Sequence, residues 1–212
     1  MADERDYGKF WDAYSYAVVD LEGTGSQDKE REQIVSIAIV PIVQGKVRID
    51  EAFYSLVKPD YPIKRRPWLK HQITNDRVKD APRFQELEQD VVTRLRQTVF
   101  VAHNARIDWG LLRRFIPGLD VVAVLDTLKL SRKLHQDLKH HRLTDLLHYY
   151  QLDEIAKELT GAEEHHALYD AVGTAFLFLR MLEKLSSTKL KLSELIRLCG
   201  LETDDVLQTL LF

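Results

Sequence analysis

The sequence has few of the features that mark secreted or membrane-spanning proteins. It has one cysteine, Cys199, among 212 residues, which excludes an internal disulfide and a thiolate metal cluster. No apolar run reaches the ~18 residues that a membrane-spanning helix needs. The acidic start, residues 1–6, lacks the apolar segment of a secretory signal. These absences predict a cytoplasmic protein.

An excess of charge of either sign is missing too. There are 30 Lys and Arg residues against 33 Asp and Glu residues, which gives a net charge of −3. A basic field over the whole protein is therefore excluded, and any contact with nucleic acid must be local. With 45% hydrophobic and 30% charged residues, the composition is typical of a globular domain with one core.

An apolar run that ends in two acids is the most informative stretch of the chain. Residues 16–25 read YAVVDLEGTG, so Asp20 and Glu22 follow a β-branched segment. In a strand, residues i and i+2 share a face, and the two carboxylates would project together. A divalent cation such as Mg²⁺ relieves the repulsion between them. An isolated pair of this kind more often ends a strand before a solvated loop.

Further strand patterns follow this first strand. Residues 34–43 and 47–57 predict an antiparallel meander with it, and Pro41 predicts an edge position or a bulge in the second strand. Helical patterns then alternate with short strands at 99–102 and 121–125. The sequence therefore predicts an α/β fold with a mixed five-stranded sheet flanked by helices.

The polar residues 186–188 predict a domain boundary. Residues 1–185 would form the main domain, and residues 186–212 a short helical tail that can bind a partner. A cut after residue 185 is expected to leave a folded domain, because the candidate site residues all precede it.

Two further acids lie on inward faces of predicted helices. Asp108 precedes Leu111 and Leu112 by three and four residues, and Asp170 lies on the small-residue side of the apolar helix near residues 167–182. A carboxylate on such a face is costly unless something pairs with it. Each acid taken alone is more often a satisfied buried acid that caps a backbone.

Three motifs bring these acids together. VVDLEGTG, VAHNARIDWGLL and HHALYDA resemble, in the same order, the motifs of the DEDDh group of 3′-to-5′ exonucleases, and in particular the bacterial proofreading group of DNA polymerase III epsilon. HQIT at residues 71–74 and Asp126-Thr127 resemble further markers of the group. Gly23 departs from the threonine that many members carry. The resemblance covers residues 16–182 and implies a ribonuclease-H-like fold.

By this resemblance the protein is a metal-dependent 3′-to-5′ exonuclease that releases nucleoside monophosphates from single-stranded DNA ends by two-metal-ion hydrolysis. Two Mg²⁺ ions, for which Mn²⁺ can substitute, would be held by four acids: Asp20, Glu22, Asp108 and Asp170. Asp20 would reach both ions, while Asp108 would support the second one directly or through water. Such a pair of ions needs no protein nucleophile.

The resemblance also implies a general base, and two histidines compete for that role. The family spacing H-x-A-x-x-D selects His165, whereas helix geometry alone favours His166, because residues i and i+4 share a face with Asp170. We follow the family spacing and expect His165 to lie on the loop before the helix. Thr24 and Asn104 are the implied contacts of the terminal nucleotide.

Two alternative functions stay open at this point. One is RNA 3′-end trimming or oligoribonuclease activity, since only contact with the 2′-hydroxyl separates RNA from DNA. The other is a non-catalytic module that binds nucleic acid on the same fold.

The end of the chain carries a possible docking peptide. Gln208, Leu211 and Phe212 resemble the Q-x-x-L-F type peptide by which bacterial replication and repair proteins bind the sliding clamp. An amide followed by large apolar side chains forms a mixed anchor of this kind. The same residues are equally consistent with an amphipathic helix that covers the core. Clamp binding would favour DNA as the substrate and a DNA polymerase as a further partner.

Overall fold

Six strands form one mixed sheet in the computed structural model, which describes residues 7–26, 28, 31–64, 69–185 and 190–201. Their order across the sheet is β3-β2-β1-β5-β6, and β4 also pairs with β2. β1 is antiparallel to β2 and parallel to β5, and β5 is parallel to β6. The predicted mixed α/β sheet is thereby confirmed. The strands are β1 (Tyr16–Gly23), β2 (Ile34–Val43), β3 (Lys46–Val47), β4 (Phe53–Leu56), β5 (Val99–Ala102) and β6 (Ala123–Asp126).

The sheet has one strand more than the predicted five, because the third strand is interrupted. A 3-10 turn at Ile49–Glu51 separates β3 from β4. Pro41 lies on β2 between the residues that pair with β4 and those that pair with β3. The expected edge position or bulge at Pro41 is wrong, since β2 pairs on both sides and Pro41 lies in regular register opposite Ala17. A proline fits there because it falls in the gap between two ladders.

Helices cover both faces of the sheet. The predicted apolar helix near residues 167–182 forms, and Asp108 also lies on a helix as expected. The helices are α1 (Asn75–Val78), α2 (Phe84–Leu95), α3 (Ala105–Phe115), α4 (Thr127–Leu134), α5 (Leu143–Tyr149), α6 (Asp153–Thr160), α7 (Ala167–Leu185) and α8 (Leu192–Cys199). None of the described helices is long and apolar enough to cross a membrane.

The alternation of side chains along β1 decides which way its acids point. Tyr16 and Val18 pack into the core beneath α7, while Ala17 and Val19 pack into the core on the other face, with α2 and α3. Because strand residues alternate between faces, Asp20 continues the row of Tyr16 and Val18. β1 therefore delivers its carboxylates to the face that α7 covers.

The last described segment, residues 190–201, packs against the same core as α7. Leu192, Leu195 and Cys199 of α8 are buried there. The chain then runs beside β6, where the N–H of Leu201 donates to the carbonyl of Val124 at 2.9 Å. The clamp-like residues 208–212 lie outside the described residues. Whether residues 1–185 fold without α8 stays a prediction.

Candidate active site

Three carboxylates converge where β1 ends beneath the first turn of α7. One oxygen from each of Asp20, Glu22 and Asp170 lies within 4.8 Å of the others, an arrangement able to hold a metal ion. Asp170 is 7% exposed, while Asp20 and Glu22 are half-buried at the mouth of the site. The strand thus supplies two acids at i and i+2, and the helix brings the third across the sheet face.

Asp108 reaches the same region from α3, but it is not one of the three converging acids. Its Oδ1 accepts a hydrogen bond from the backbone N–H of Leu21 at 3.0 Å, and the side chain is 7% exposed. Leu21 lies between the two acids of β1, so this bond joins the start of α3 to the end of the strand that carries Asp20 and Glu22. The structure therefore places Asp108 beside the cluster of three acids.

Burial, together with the negative charge of nearby acids, raises the pKa values of all four acids. Burial raises the pKa of Glu22 to about 8, and the negative charges of Asp170 and Asp108 act in the same direction. Burial, reinforced by the other acids, also holds the pKa of Asp20 well above its usual range. A group of carboxyl side chains whose ionisation is opposed in this way favours the binding of a cation, because the cation removes the repulsion between the ionised carboxylates.

The pKa values of Asp108 and Asp170 reach about 7, again chiefly because of burial. The backbone N–H of Leu21 opposes the rise at Asp108. At Asp170 the backbone N–H of His165 has the same opposing effect, while the charge of Glu164 raises the pKa further. Backbone donors therefore favour the ionised form of each acid, which is the form that binds a metal ion.

His165 lies on the loop before α7, as expected from the sequence, since the helix begins at Ala167. Its backbone has a left-handed conformation with φ 65°, which is uncommon for a residue with a side chain. The Nε2 atom lies 3.0 Å from Oε1 of Glu164, and the imidazole side chain is 40% exposed. The imidazole is therefore accessible to solvent while its own backbone amide contacts Asp170.

His166 is directed elsewhere. Its ring packs against the ring of Tyr54 on β4, and its Nδ1 accepts a hydrogen bond from the N–H of Leu168 at 3.3 Å. Burial lowers the pKa of His166, and the positive charge of Arg77 lowers it further. The two neighbouring histidines thus differ in their contacts, with His166 anchored to the sheet.

His71, the first residue of the HQIT marker, lies against the end of β1. Its Nδ1 accepts from the N–H of Ile73 at 3.0 Å, so Nε2 carries the proton and donates to the carbonyl of Gly23 at 2.9 Å. Burial lowers the pKa of His71, which favours this neutral form. His71 therefore holds the backbone one residue after Glu22.

The carboxylate of Glu32 lies beside the glycine at position 23, and its Oε1 is the first atom that a Cβ at this position would meet. That oxygen accepts a hydrogen bond from the N–H of Gly25 at 2.8 Å and closes the loop after β1. Glu32 thus occupies the space next to position 23. Thr24 is buried, and its Oγ1 accepts from the N–H of Gln33 at 3.2 Å.

Asn104 occupies the junction between β5 and α3. It has a left-handed backbone with φ 66°, and its side chain does not cap the helix. Its backbone N–H donates to Oδ1 of Asp126 at 3.0 Å, and the same oxygen accepts from the N–H of Leu128 at 2.8 Å. Asp126 therefore ties the start of α3 to the start of α4.

Ile107 is a feature that sequence reasoning missed. It precedes Asp108 on α3 and is 64% exposed, which is unusual for a large apolar side chain. No periodicity in the sequence distinguishes it, because its exposure depends on how α3 meets the sheet.

Comparison with known proteins agrees with this geometry. The model of the exonuclease family (RNase T) matches residues 17–178. The chain belongs to this exonuclease family. Within the family it is of the DEDDh type, with a ribonuclease-H-like fold and exonuclease activity. Members of this group use divalent metal ions, in keeping with the acidic cluster.

Two curated relatives of this exonuclease domain are bacterial polymerases. The chain is 33% identical over 179 residues to the DNA polymerase III PolC-type of Caldanaerobacter subterraneus subsp. tengcongensis, covering 83% of this chain and 12% of the relative. It is also 33% identical over 174 residues to the corresponding protein of Bacillus subtilis, covering 80% and 11%. The chain thus spans about an eighth of the length of the curated relatives it matches.

One similar solved structure is matched by this chain over almost its entire length. Exonuclease X in complex with 5′ overhanging duplex DNA is 27% identical, with a TM-score of 0.67. The match covers 86% of this chain and 98% of that chain. The likeness therefore extends over most of the described fold.

Proposed function

We propose that this exonuclease shortens single-stranded DNA from its 3′ end and releases nucleoside monophosphates in a metal-dependent reaction of the proofreading or repair type. The observation that carries the proposal is the cluster of Asp20, Glu22 and Asp170 within 4.8 Å, with Asp108 beside it. DNA is favoured over RNA because the relatives are named as DNA polymerases and because exonuclease X was solved with DNA.

The donor set fits divalent cations such as Mg²⁺. Asp20, Glu22 and Asp170 would hold one ion, and Asp20 with Asp108 a second, directly or through water. All ligands are carboxylate oxygens, which Mg²⁺ prefers. When bound, such ions activate water and stabilise the leaving oxygen during displacement at phosphorus. Their positive charge would also offset the burial and the mutual repulsion that raise the pKa values of these acids.

His165 would act as the general base. The attacking water forms a bond to the phosphorus of the last phosphodiester, and the bond to the 3′-oxygen of the preceding nucleotide breaks. The imidazole of His165 takes the proton of the water, for which its exposure on the loop before α7 is suited. Thr24 and Asn104, at the ends of β1 and β5, would contact the terminal nucleotide.

The test is the shortening of 5′-labelled single-stranded DNA and a matched RNA, each with Mg²⁺, with Mn²⁺ and with a chelator. With the metal ions we expect a ladder of products shortened from the 3′ end, which forms faster from DNA than from RNA. With the chelator we expect no shortened products. Asp20→Asn should remove the activity, whereas Asp90→Asn, at an exposed position of α2, should not. Faster shortening of RNA would favour the RNA-trimming alternative, and binding without shortening would favour the non-catalytic module.

Residues 202–212 are proposed to bind a bacterial sliding clamp through Gln208, Leu211 and Phe212, and so to bring the enzyme to a DNA polymerase. The proposal rests on the sequence motif. It is tested by titrating a peptide of residues 202–212 against a clamp, with a Gln208→Ala, Phe212→Ala double mutant as the control. Equal binding of the two peptides would remove the clamp from the proposal.

A further inference from the structure

A cleft opens beside the candidate active site, on the side of Thr24. It has a volume of about 370 Å³, which is within the range of pockets that hold small ligands. One wall is the loop between β1 and β2, and the other is the segment after β4. The cleft is lined by Thr24, Ser26, Asp28, Arg31, Tyr61, Pro62 and Lys64.

The walls of the cleft are tied to each other. Gln33 follows the first wall, and its Nε2 donates to Oδ2 of Asp60 at 3.2 Å. Asp60 precedes Tyr61 on the second wall and also pairs with Arg83. The N–H of Thr24 donates to the carbonyl of Gln33 at 2.9 Å. The bond between Gln33 and Asp60 therefore connects the two walls.

The side chains in the cleft match the chemistry of a nucleotide. Tyr61 is 61% exposed, so most of its ring is available to stack on a base. Lys64 is exposed, and Arg31 forms a pair with Asp28 at 3.5 Å in which both side chains are more than half exposed. Exposed pairs of this kind contribute little to stability, so Arg31 can exchange its partner for a phosphate group at low cost.

We propose that this cleft is a second nucleotide site, in which the base next to the 3′ terminus stacks on Tyr61 while Lys64 and Arg31 contact the backbone phosphates. The inference rests on the proposed exonuclease function. Thr24 connects the two sites, since it follows Glu22 by two residues and also lines the cleft. Stacking on an aromatic ring tolerates every base, so the site would grip the strand without reading its sequence.

The test removes one base from the substrate and one ring from the protein. Short single-stranded DNA oligonucleotides, normal or abasic at the penultimate position, are degraded by the wild type and by Tyr61→Ala, and kcat and KM are measured separately. With the normal oligonucleotide, Tyr61→Ala should raise KM about 10-fold, the range expected from loss of one stacked base. With the abasic oligonucleotide, the two proteins should have equal KM values.

Three comparisons make the result specific. Tyr61→Phe, which keeps the ring, should recover most of the loss. Tyr149→Ala removes another exposed tyrosine, outside the cleft, and should leave KM unchanged. Lys64→Gln should raise KM equally for both oligonucleotides and reduce the salt dependence of KM, because Lys64 is proposed to contact a phosphate rather than a base.

Each outcome has a clear meaning. If Tyr61→Ala changes KM by the same factor on both oligonucleotides, or on neither, the second site is overturned. If the wild type shortens neither oligonucleotide with Mg²⁺ or Mn²⁺, the proposed function itself has failed. The two failures are therefore distinguished within one experiment.

Discussion

The ring of Tyr54 on β4 packs against the ring of His166, with 4.7 Å between the centroids and 30° between the planes. His166 directly follows His165, whose left-handed backbone turns the chain into α7. The contact therefore anchors the loop that presents His165 to a strand of the sheet. Left-handed residues that carry side chains persist only where surrounding contacts hold them.

Removing the Tyr54 ring should disturb the position of His165. We expect Tyr54→Ala to lower kcat about 10-fold, since small displacements of a general base cost rate. Tyr54→Phe should recover the loss because it keeps the ring. In a His165→Ala background, Tyr54→Ala should have little further effect on kcat. Additive losses of kcat in the double mutant would show that Tyr54 acts independently of His165.

The two neighbouring histidines should separate in their effects. His165→Ala is expected to lower kcat by roughly 10²–10⁴-fold with an unchanged melting temperature, the usual contribution of a general base. His166→Ala should lower the melting temperature, because it loses the contact with Tyr54. Its effect on kcat should be far smaller than that of His165→Ala. Steady-state kinetics and thermal unfolding of both variants provide the measurements. Reversal of the two patterns would assign the base to His166.

The stability of the metal-free enzyme should fall as the pH rises above neutrality. Burial raises the pKa of Glu22 to about 8 and that of Asp20 also, so the folded state keeps protons that the unfolded chain has already lost. The free energy of unfolding therefore decreases between about pH 7 and 8.5. Histidines whose pKa values are lowered make the free energy of unfolding increase with pH, but only below their ordinary pKa of ~6.5.

Thermal unfolding in chelator tests this expectation. The melting temperature of the wild type should fall by about 3 °C or more from pH 7 to 8.5, and that of Asp20→Asn should fall less. Mg²⁺ should restore the wild type at pH 8.5, since it binds the ionised acids. A wild-type curve that rises with pH, in parallel with that of the variant, would contradict the raised pKa values.

Truncation after Leu185 is expected to destabilise the enzyme, although the sequence suggested that such a cut would be harmless. It removes Leu192 and Leu195 from the core, and each buried leucine side chain contributes about 1.5–3 kcal/mol. We expect a melting temperature lower by at least about 5 °C. A cut after Leu201, which keeps α8, is the matched control. Equal melting temperatures for the two truncations would show that α8 adds nothing to stability.

Local patterns predicted the elements that carry the acids. The alternation along β1 requires Asp20 and Glu22 to share a face, and the apolar stripes of α3 and α7 direct Asp108 and Asp170 inward. Such patterns depend on the geometry of one element, which the sequence specifies by itself. The family motifs then indicated that the four acids belong to one site.

Contacts between segments that lie far apart along the chain could not be predicted from the sequence. His71 meets the carbonyl of Gly23 across 48 residues, and no spacing rule connects the two. Tyr54 meets His166 only because β4 pairs with β2 beneath α7. The burial of α8 was missed for a similar reason, since an amphipathic helix looks alike whether it covers a core or binds a partner.

At Leu201 the chain runs away from the carboxylates of the site. Gly200 pairs with Leu125, and Leu201 then bonds to Val124, so the chain runs antiparallel to β6. β6 points toward the carboxylates, and the chain therefore leaves the sheet edge heading away from them. A domain fused directly after Leu201 would therefore start on the side away from the carboxylates and leave the entrance of the site open to the 3′ end of a strand.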